Sequence, residues 1–536
     1  EGCLDRLNGQ FAFAIIDRRD GRHRLFLARD RAGILPLFFA RDRGRLLFGS
    51  EVKALLPALS HSPSLCPVAL GQILTCWAPL GSRTPFVGIE SLRPGHLMLV
   101  EEGRVHQRAW WDWRFPDADG PYRTEPADVL AEELAALLDD AVRLRLRADV
   151  TVGAYLSGGL DSSLLSALAR RRQGAGLETF SIGFESPDHD EQPHQEAMVR
   201  HLDVRHHHIR CSAGDIANAL PAAVRHAEMP MVRTAPAPMF QLSGLVRSHG
   251  LKVVLTGEGA DEIFGGYDLF REAKVRRFWA RQPQSRMRPA LLARLYPWMR
   301  AAGNQPAAHL AAFYGVGLDQ PDSPDFSHLP RWRTTGSARM FLSPDYAEAS
   351  AWDQAEFEAL LPSEFGRWHP LARAQYLEAT ILLPGNLLCA QGDRMLMANS
   401  VEGRFPFLDH RVIAFAASLS PSLKLRGLDE KHLLKRAARP FLPTAILARS
   451  KQPYRAPGVA TVLGTQEGAP LREMLTPDAL AQDGIFDARR VGRLVQRLEA
   501  AGDGSERDRM ALTAVITTQL WCRQFAQQTR KEACHA

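Results

Sequence analysis

The stretch GAYLSGGLDSSLLSAL, residues 153–168, constrains the fold more than any other part of the sequence. An apolar run ends at Leu156, two adjacent glycines follow, and the next residues repeat apolar side chains at helical spacing. A buried strand, a glycine turn and a helix in this order form the repeating unit of a parallel α/β sheet. The sequence therefore predicts a strand over 150–156 and a helix over 161–172.

The same alternation continues towards the C-terminus. Apolar runs predict three more strands, at 178–184, 204–209 and 251–257. Residues 191–202 have the spacing of a helix and lie between two of these runs. Because at least four strands alternate with helices, we expect an α/β domain built on a doubly wound parallel sheet, with a mainly helical C-terminal part.

The first part of the chain has a different pattern, typical of β-structure. Short apolar runs predict strands at 11–15, 25–28, 46–48 and, as a hairpin-like pair, 89–105. A Trp-rich and then polar stretch follows, after which residues 127–147 have the spacing of a helix. We therefore expect one domain over 1–120 and a second over 127–536.

Composition excludes several classes of protein. With 45% hydrophobic and 24% charged residues in 536, the chain is neither fibrous nor disordered. No apolar run reaches the ~20 residues of a membrane span, so we expect a cytoplasmic protein without a membrane partner. The net charge of +6 is slight for this length and predicts no nucleic-acid partner. The seven cysteines have no C-x-x-C spacing, which argues against a zinc site or a disulfide framework.

The glycine turn has the features of a phosphate-binding loop. Gly158 and Gly159 let a phosphate approach the backbone, while Ser157, Ser162 and Ser163 carry hydroxyl groups. The loop lacks the lysine of the G-x-x-x-x-G-K-[ST] motif and is instead similar to the S-G-G-x-D-S loop of enzymes that cleave ATP between its α- and β-phosphates. A glycine turn with serine caps and no ligand is the alternative interpretation of this stretch taken alone.

A second loop, LTGEGADEIFGGY at 255–267, places Glu258, Asp261 and Glu262 among four glycines. Carboxylates close to a polyphosphate would repel it unless a divalent cation lay between them. We therefore expect Mg²⁺ shared by Asp161 and Asp261. A solvated acidic turn is the alternative.

Together these motifs resemble the glutamine-hydrolysing asparagine synthetase family. The resemblance covers nearly the whole chain and rests on the order of LNGQFAFAIID, FGSEVKALL, SGGLDSS, TGEGADEIFGGY, DRMLMANSVEGRFPFLDHR and RSKQPYRAP. It implies part of an N-terminal-nucleophile type αββα glutaminase domain (class II glutamine amidotransferase), followed by an ATP-pyrophosphatase domain.

The resemblance also implies a reaction and its residues. The β-carboxylate of aspartate attacks ATP to give aspartyl-AMP and pyrophosphate, and ammonia then displaces AMP. Lys451 matches the family's catalytic lysine and Glu258 its base, where the related β-lactam-forming synthetases carry a tyrosine. The positions that match the family's nucleotide contacts are Leu156, Ile182, Thr256 and Gly257, beside Ser157, Gly158, Gly159, Asp161, Ser162 and Ser163 in the loop.

The family obtains ammonia from glutamine by means of an N-terminal cysteine. This sequence begins with Glu1, and Cys3 matches the interior of the glutaminase domain, so we expect no glutamine hydrolysis by the chain as given. Either the parent protein carries the missing segment or free ammonia is used. The expected partners are small molecules (a carboxylate, ATP, and ammonia or glutamine), and the chain could form a homodimer.

Three other functions stay open on the sequence. The chain could amidate a different carboxylate, such as a natural-product precursor. It could be a tRNA-modifying protein with the same loop, or a homologue that has lost catalysis. The charged side chains at 393–404 could line an acceptor pocket or pair with one another in the core.

Overall fold

The computed structural model describes residues 1–21, 23–185, 191–295, 307–449, 451, 454, 456–501 and 504–526. The described strands of the N-terminal region are β1 (Ala12–Asp17), β2 (Arg24–Arg29), β3 (Phe38–Asp42), β4 (Arg45–Gly49), β5 (Ile89–Ser91), β6 (His96–Glu101) and β7 (Arg104–Ala109). They form two antiparallel sheets, of order β1-β2-β6-β7 and β4-β3-β5. This region is therefore β-rich, as the sequence predicts.

Five parallel strands form the second region's sheet: β8 (Val152–Tyr155), β9 (Glu178–Phe184), β10 (Arg205–Cys211), β11 (Val253–Leu255) and β12 (Glu402–Arg404). Their order is β10-β9-β8-β11-β12. Strands β9 and β10 therefore lie on one side of β8, whereas β11 and β12, which come later in the sequence, lie on the other side. In open α/β sheets, ligands bind beyond the carboxyl ends of the strands at such a reversal. The mixed α/β class with a parallel sheet is confirmed.

The remaining chain is mainly helical. The α-helices are Val52–Leu55, Pro67–Cys76, Ala127–Arg145, Leu160–Gln173, Gln192–Leu202, Ala213–Ala227, Pro236–Ser248, Ala260–Phe264, Asp268–Ala280, Leu292–Leu295, Ala307–Tyr314, Leu329–Gly336, Pro344–Ala349, Gln354–Ala359, Pro370–Leu377, Arg394–Met397, His410–Ser418, Pro421–Lys424, His432–Ala438, Thr444–Leu447, Val459–Leu463, Ala469–Glu473, Pro477–Asp483, Ala488–Ala501 and Glu506–Trp521. Two π-helical segments, Glu378–Asp393 and Cys522–Ala526, continue helices. Among the described residues, no helix is long and apolar enough to cross a membrane.

The helix after β8 has clear sequence reasons for its ends. It begins after Gly159, carries Asp161 in its first turn and Arg170 to Arg172 in its last, and ends at Gly174, whose φ is +66°. An acidic first turn and a basic last turn both interact favourably with the helix dipole and stabilise the helix. Glycine readily adopts the positive φ that ends a helix. The helix is thereby fixed with its N-terminus at the carboxyl end of β8.

Both faces of the parallel sheet are covered, as expected for buried parallel strands. Tyr155 and Phe180 pack into one apolar cluster, whereas Val152, Ala154 and Leu156 belong to another. All four residues of β8 are buried. Alternate side chains of this strand therefore anchor two layers of helices, which holds the loop that follows it in a fixed place.

Buried polar contacts join the N-terminal region to the parallel sheet region. The carboxylate of Glu228 accepts hydrogen bonds from the backbone N–H groups of Val52 (2.9 Å) and Lys53 (2.7 Å) at the start of the helix Val52–Leu55. Arg394 donates to the same carboxylate at 3.0 Å. Because Glu228 is buried, these bonds satisfy a charge that has no access to water.

Two details differ from the sequence prediction. Residues 89–105 do not form one hairpin: β5 pairs with β3, while β6 pairs with β2 and with β7 across the turn at 102–103. The Pro94-Gly95 turn therefore connects two sheets, which local turn signals cannot distinguish from a hairpin. Strands β3 and β12 were not predicted. Strand β12 has only three residues and is defined by its pairing with β11.

Candidate active site

The loop after β8 is held in a shape that only glycine allows at Gly158. Its φ is +71°, and a Cβ there would lie 2.7 Å from Cβ of His194. The hydroxyl groups of Ser157 and Ser162 lie 2.9 Å apart, and Ser162 Oγ also accepts the backbone N–H of Ser157 at 3.1 Å. The loop thus closes over the N-terminus of the helix Leu160–Gln173, where backbone N–H groups are available to an anion.

Ser163 takes a different position from the other loop residues. Its backbone N–H donates to the carbonyl of Gly159 at 3.1 Å, and its side chain is fully buried. Its hydroxyl therefore faces the protein interior, whereas those of Ser157 and Ser162 lie in the loop itself.

The loop after β11 faces this turn across the point where the strand order reverses. Gly259, with φ +96°, precedes the helix Ala260–Phe264. A Cβ at Gly257 would lie 3.3 Å from Cβ of Asp161, so the two loops touch at this glycine. A Cβ at Gly266 would collide with both Asp261 and Lys431. These glycines leave room for acidic and basic side chains to meet between the loops.

Four charged side chains form a continuous ion-pair chain at this point. Lys431 Nζ lies 2.5 Å from Asp161 Oδ2 and 2.6 Å from Asp261 Oδ1. Lys451 Nζ lies 2.5 Å from Asp261 Oδ2. The two aspartates, 100 residues apart in sequence, are therefore within reach of a single ammonium group. They lie close enough to share one cation, as the sequence interpretation requires.

These charges perturb one another strongly. Burial would raise the pKa of Asp261, but the ammonium groups of Lys431 and Lys451 lower it to about 2. Burial acts to lower the pKa of Lys451, but Asp261 and Asp161 reverse this effect and raise it. Both groups therefore stay charged at neutral pH. The four charges of the ion-pair chain sum to zero, but Lys451 keeps an ammonium group that can stabilise negative charge on a leaving polyphosphate.

Lys431 is a site residue that the sequence interpretation missed. Its side chain is only 3% exposed, and its backbone has φ +52°, a conformation that non-glycine residues seldom adopt. Such strain persists where the surrounding structure fixes it, often at functional sites. The local pattern DEKHLLK is typical of a solvated helix start. Only the contacts with Asp261 and Asp161, which precede this lysine by 170 and 270 positions in the sequence, distinguish it.

Glu258 lies beside the ion-pair chain without joining it. Its Oε2 is buried and accepts no hydrogen bond from the described residues, although the residue as a whole is partly exposed. Burial raises the pKa of Glu258 to about 7, against the opposing effects of its own backbone N–H and Lys451. A carboxylate with this pKa is suited to accept a proton near neutral pH.

Glu262 is a second buried carboxyl that the sequence interpretation did not assign. It is 1% exposed and accepts a hydrogen bond from the hydroxyl of Tyr267 at 2.7 Å. Burial and the charge of Asp261 raise the pKa of Glu262 to about 8. The ring of Tyr267 lies 6.0 Å from Lys451 Nζ. Glu262 therefore holds an aromatic ring against the lysine that pairs with Asp261.

The positions predicted to contact a nucleotide line the ends of three strands. Leu156 donates its N–H to the carbonyl of Phe180 at 2.9 Å, and Thr256 donates to that of Arg404 at 3.0 Å. Ile182 is 8% exposed, and its carbonyl accepts from Gln195 at 3.1 Å. The fold thus brings these positions to the carboxyl edge of the sheet, although they are far apart in sequence.

The donor set fits Mg²⁺ held jointly with phosphate oxygens. Asp161 Oδ1 is buried and accepts no hydrogen bond from the described residues, which leaves an oxygen for a cation. No group of three or more His, Cys, Asp or Glu side chains in that part of the chain could hold a metal by itself. Mg²⁺ is commonly bound by one or two carboxylates and completes its shell with water and substrate phosphates. Asp161 and Asp261 match this pattern.

Arg449 connects the lysine-bearing segment to the glycine loop. It donates to the carbonyl of Gly158 at 3.0 Å and to the carboxylate of Glu191 at 2.5 Å. Lys451 follows two residues later, and its N–H donates to Glu430 at 3.3 Å. The segment that carries Lys451 is thereby attached to the loop it faces.

The charged side chains of 393–404 differ in the contacts they make. Arg394 is buried and binds Glu228, and Arg404 donates to Glu402 and to the carbonyl groups of Arg145 and Arg147. Asp393 is also buried, and burial raises its pKa to about 7. Core pairing is therefore found for Arg394. Glu402 and Arg404 pair at a partly exposed position, and Asp393 Oδ1 accepts no hydrogen bond from the described residues. For these three side chains the alternatives stay open.

Comparisons with known proteins identify the family. The asparagine synthase family model matches residues 133–523, and a glutamine amidotransferase domain model matches residues 1–111. The first match alone covers well over half of the chain.

The chain belongs to the asparagine synthase family.

Two relatives are similar to this chain over most of its length. "Amidase chyE" of Penicillium rubens is 31% identical over 458 residues, which are 77% of this chain and 65% of that protein. "Asparagine synthetase (glutamine-hydrolyzing) 3" of Bacillus subtilis is 31% identical over 473 residues, or 85% of this chain and 68% of that protein. The chain thus spans about two thirds of the length of these relatives. The family match indicates an enzyme of the ligase type.

Proposed function

We propose that the chain joins ammonia to a carboxylic acid at the expense of ATP, through an acyl-adenylate, with aspartate as acceptor and asparagine as product. The observation that carries this proposal is the ion-pair chain of Asp161, Lys431, Asp261 and Lys451 between two glycine-rich loops. The loops lie where the strand order reverses, which is the expected nucleotide site of an α/β sheet.

In the first step, a carboxylate oxygen of the acceptor attacks the α-phosphorus of ATP. The bond from that phosphorus to the oxygen bridging to the β-phosphate breaks, and pyrophosphate leaves. Lys451 and Lys431 neutralise the negative charge that develops on the leaving group, and the N–H groups at the start of Leu160–Gln173 receive its oxygens. Mg²⁺ held by Asp161 and Asp261 would supply further charge neutralisation.

In the second step, the nitrogen of ammonia attacks the acyl carbon, and the carbon–oxygen bond to AMP breaks. The attacking nitrogen must lose a proton, which Glu258 accepts on its buried Oε2. With a pKa of about 7, Glu258 is basic enough to take this proton and is largely ionised just above neutral pH. The amide and AMP are the products.

The same proposal assigns the chain to two domains. Residues 1–120 form part of an N-terminal-nucleophile type glutaminase domain, and residues 127–536 form the pyrophosphatase-type synthetase domain. The nitrogen comes from ammonia, either free or released from glutamine. A cytoplasmic location and a homodimeric state remain predictions.

A different carboxylate acceptor is the second candidate. Two relatives are named amidases, "Amidase chyE" and "Amidase chry2" of Gibberella zeae, rather than asparagine synthetases. On the face of the sheet opposite Leu156, the hydroxyl groups of Tyr155 and Tyr454 are buried and make no hydrogen bond with the described residues. A larger acceptor with polar groups of its own would satisfy hydroxyls that aspartate does not need.

Pyrophosphate release separates these candidates. The protein is mixed with ATP, magnesium chloride and ammonium chloride, and aspartate is compared with a panel of carboxylic acids. A response to aspartate supports asparagine synthesis, and a response only to another acid supports the second candidate. If no acid in the panel stimulates pyrophosphate release, both candidates are contradicted. Lys451→Ala should abolish release in every case while leaving the circular dichroism spectrum unchanged.

A further inference from the structure

The ammonium group of Lys431 lies between the two aspartates that match a shared metal site. Its Nζ is 2.5 Å from Asp161 Oδ2 and 2.6 Å from Asp261 Oδ1. A metal ion shared by these residues needs an oxygen from each carboxylate, and carboxylate oxygens are ligands that suit Mg²⁺. Lys431 therefore already bridges the two carboxylates that such an ion would bridge.

The two aspartates differ in what they still offer to a metal ion. Both oxygens of Asp261 lie beside an ammonium group, Oδ1 beside Lys431 and Oδ2 at 2.5 Å from Lys451 Nζ. Asp161 Oδ1, in contrast, is buried and accepts no hydrogen bond from the described residues. An ion can approach Asp161 through this oxygen, but it reaches Asp261 only next to a lysine.

The charges at this point are balanced without a metal ion. Asp161 and Asp261 carry two negative charges, and Lys431 and Lys451 carry two positive ones. The side chains of the aspartates are only 14% and 12% exposed, so water screens these charges poorly. A divalent ion alone would add two positive charges that no group offsets, which is costly in a buried place. The triphosphate of ATP supplies the negative charge that offsets them.

The backbone of Lys431 is held in place, whereas its side chain has room to move. Its carbonyl accepts the N–H of Lys435 at 2.8 Å at the start of the helix His432–Ala438. The side chain passes over Gly266, where a Cβ would collide with Lys431 Cε. Lysine carries its charge on a flexible four-carbon stem, unlike the rigid fork of arginine. The ammonium group can therefore exchange an aspartate oxygen for a phosphate oxygen without a shift of the helix.

We propose that Lys431 excludes free divalent metal ions from Asp161 and Asp261 and admits the metal only together with the triphosphate of a nucleotide. A phosphate oxygen then becomes the partner of the ammonium group, and one oxygen of each aspartate is released to the metal. Lys431 thereby selects the metal–nucleotide complex over the free metal. The inference rests on the proposed function, which places that complex between the two glycine-rich loops.

The first test measures the binding of Mn²⁺, which accepts the same oxygen ligands as Mg²⁺, with no nucleotide present. Free Mn²⁺ is followed by its electron paramagnetic resonance signal. Lys431→Met keeps the length of the side chain and removes its charge. It should tighten Mn²⁺ binding at least ~10-fold, because the repelling ammonium group is gone and Asp161 has lost its counter-charge.

Two further variants locate the effect. Lys252→Met, which removes an exposed lysine, is the matched control and should bind Mn²⁺ like the unaltered chain. Asp161→Asn combined with Lys431→Met should lose the gain in affinity, because the ion then lacks one of its two carboxylates. If Lys431→Met binds Mn²⁺ no more tightly than the unaltered chain, the proposal is wrong.

Melting temperatures give a second measurement, which the unaltered chain alone can decide if Lys431→Met does not fold. Magnesium chloride is compared with sodium chloride at equal ionic strength. Mg²⁺ alone should raise the melting temperature of Lys431→Met but leave that of the unaltered chain unchanged, since only a ligand that binds the folded state stabilises it. With an ATP analogue that has a methylene group between its α- and β-phosphates, the unaltered chain should be stabilised more in Mg²⁺ than in a chelator.

The analogue cannot be cleaved where the proposed reaction cleaves ATP, so these results do not depend on catalysis. Mg²⁺ alone stabilising the unaltered chain as much as Mg²⁺ with the analogue would overturn the inference, as would an analogue that stabilises equally with and without Mg²⁺. If these expectations hold while no carboxylic acid stimulates pyrophosphate release, the proposed reaction is wrong and the role of Lys431 stands.

Discussion

Replacing Lys431 with methionine tests whether the ion-pair chain has the geometry described. The side chain is 3% exposed, and its Nζ lies within 2.6 Å of both Asp161 and Asp261. Asp261 would keep Lys451, but Asp161 would lose its ion pair. Removing one member of a buried ion pair costs about 3–5 kcal/mol, because the remaining charge is left uncompensated. We expect Lys431→Met to lower the free energy of unfolding by about this amount.

Urea unfolding followed by tryptophan fluorescence measures this effect, and Lys252→Met is the matched control. Lys252 is exposed. Replacing an exposed lysine changes stability by about 0.5 kcal/mol or less. If the two variants differ by less than about 1 kcal/mol, Lys431 does not bridge the aspartates and the account of the site is wrong.

Three further outcomes are expected. Glu258→Gln should keep acceptor-dependent pyrophosphate release but lower amide formation at least ~100-fold, as loss of a general base does; an equal loss of both would contradict the assigned role. Burial raises the pKa of Glu262 from its usual 4.5 to about 8, so stability due to its protonated form is fully present below pH 4.5 and lost as pH rises towards 8. Melting temperatures at pH 5 and pH 8 should accordingly differ less in Glu262→Gln than in the unaltered chain, and an unchanged difference would refute the shift. Gly158→Ala forces a Cβ to within 2.7 Å of His194 at φ +71° and should cost about 1–3 kcal/mol in urea unfolding, whereas Gly176→Ala, which has open space, should cost much less.

The sequence predicted the parallel sheet because its signals are local. Strands β8 and β11 are short apolar runs followed by glycine, and β9 is a longer, largely apolar run. The helix after β8 has its own spacing and end signals. Strand β12 was missed because Glu402 and Arg404 are polar and become a strand only by pairing with β11. Likewise, Pro94-Gly95 gives the same signal whether it closes a hairpin or connects two sheets.

The candidate site divides in the same way. Asp161 and Glu258 lie in glycine-rich motifs and could be predicted from them. Lys431 could not, because nothing in its neighbourhood distinguishes it from a solvated lysine at the start of a helix. Only the fold brings it between two aspartates. Buried charges that act through distant partners are the part of a site that one sequence leaves undetermined.

The central claim, that a carboxylic acid is activated as an adenylate, has a direct test with an oxygen-18-labelled acceptor carboxylate. Attack on the α-phosphorus places one carboxylate oxygen between carbon and phosphorus, and amide formation then leaves that oxygen on the phosphate of AMP. Mass spectrometry should find one labelled oxygen in AMP and none in pyrophosphate. Labelled inorganic phosphate formed together with ADP, or AMP without label, would contradict the account.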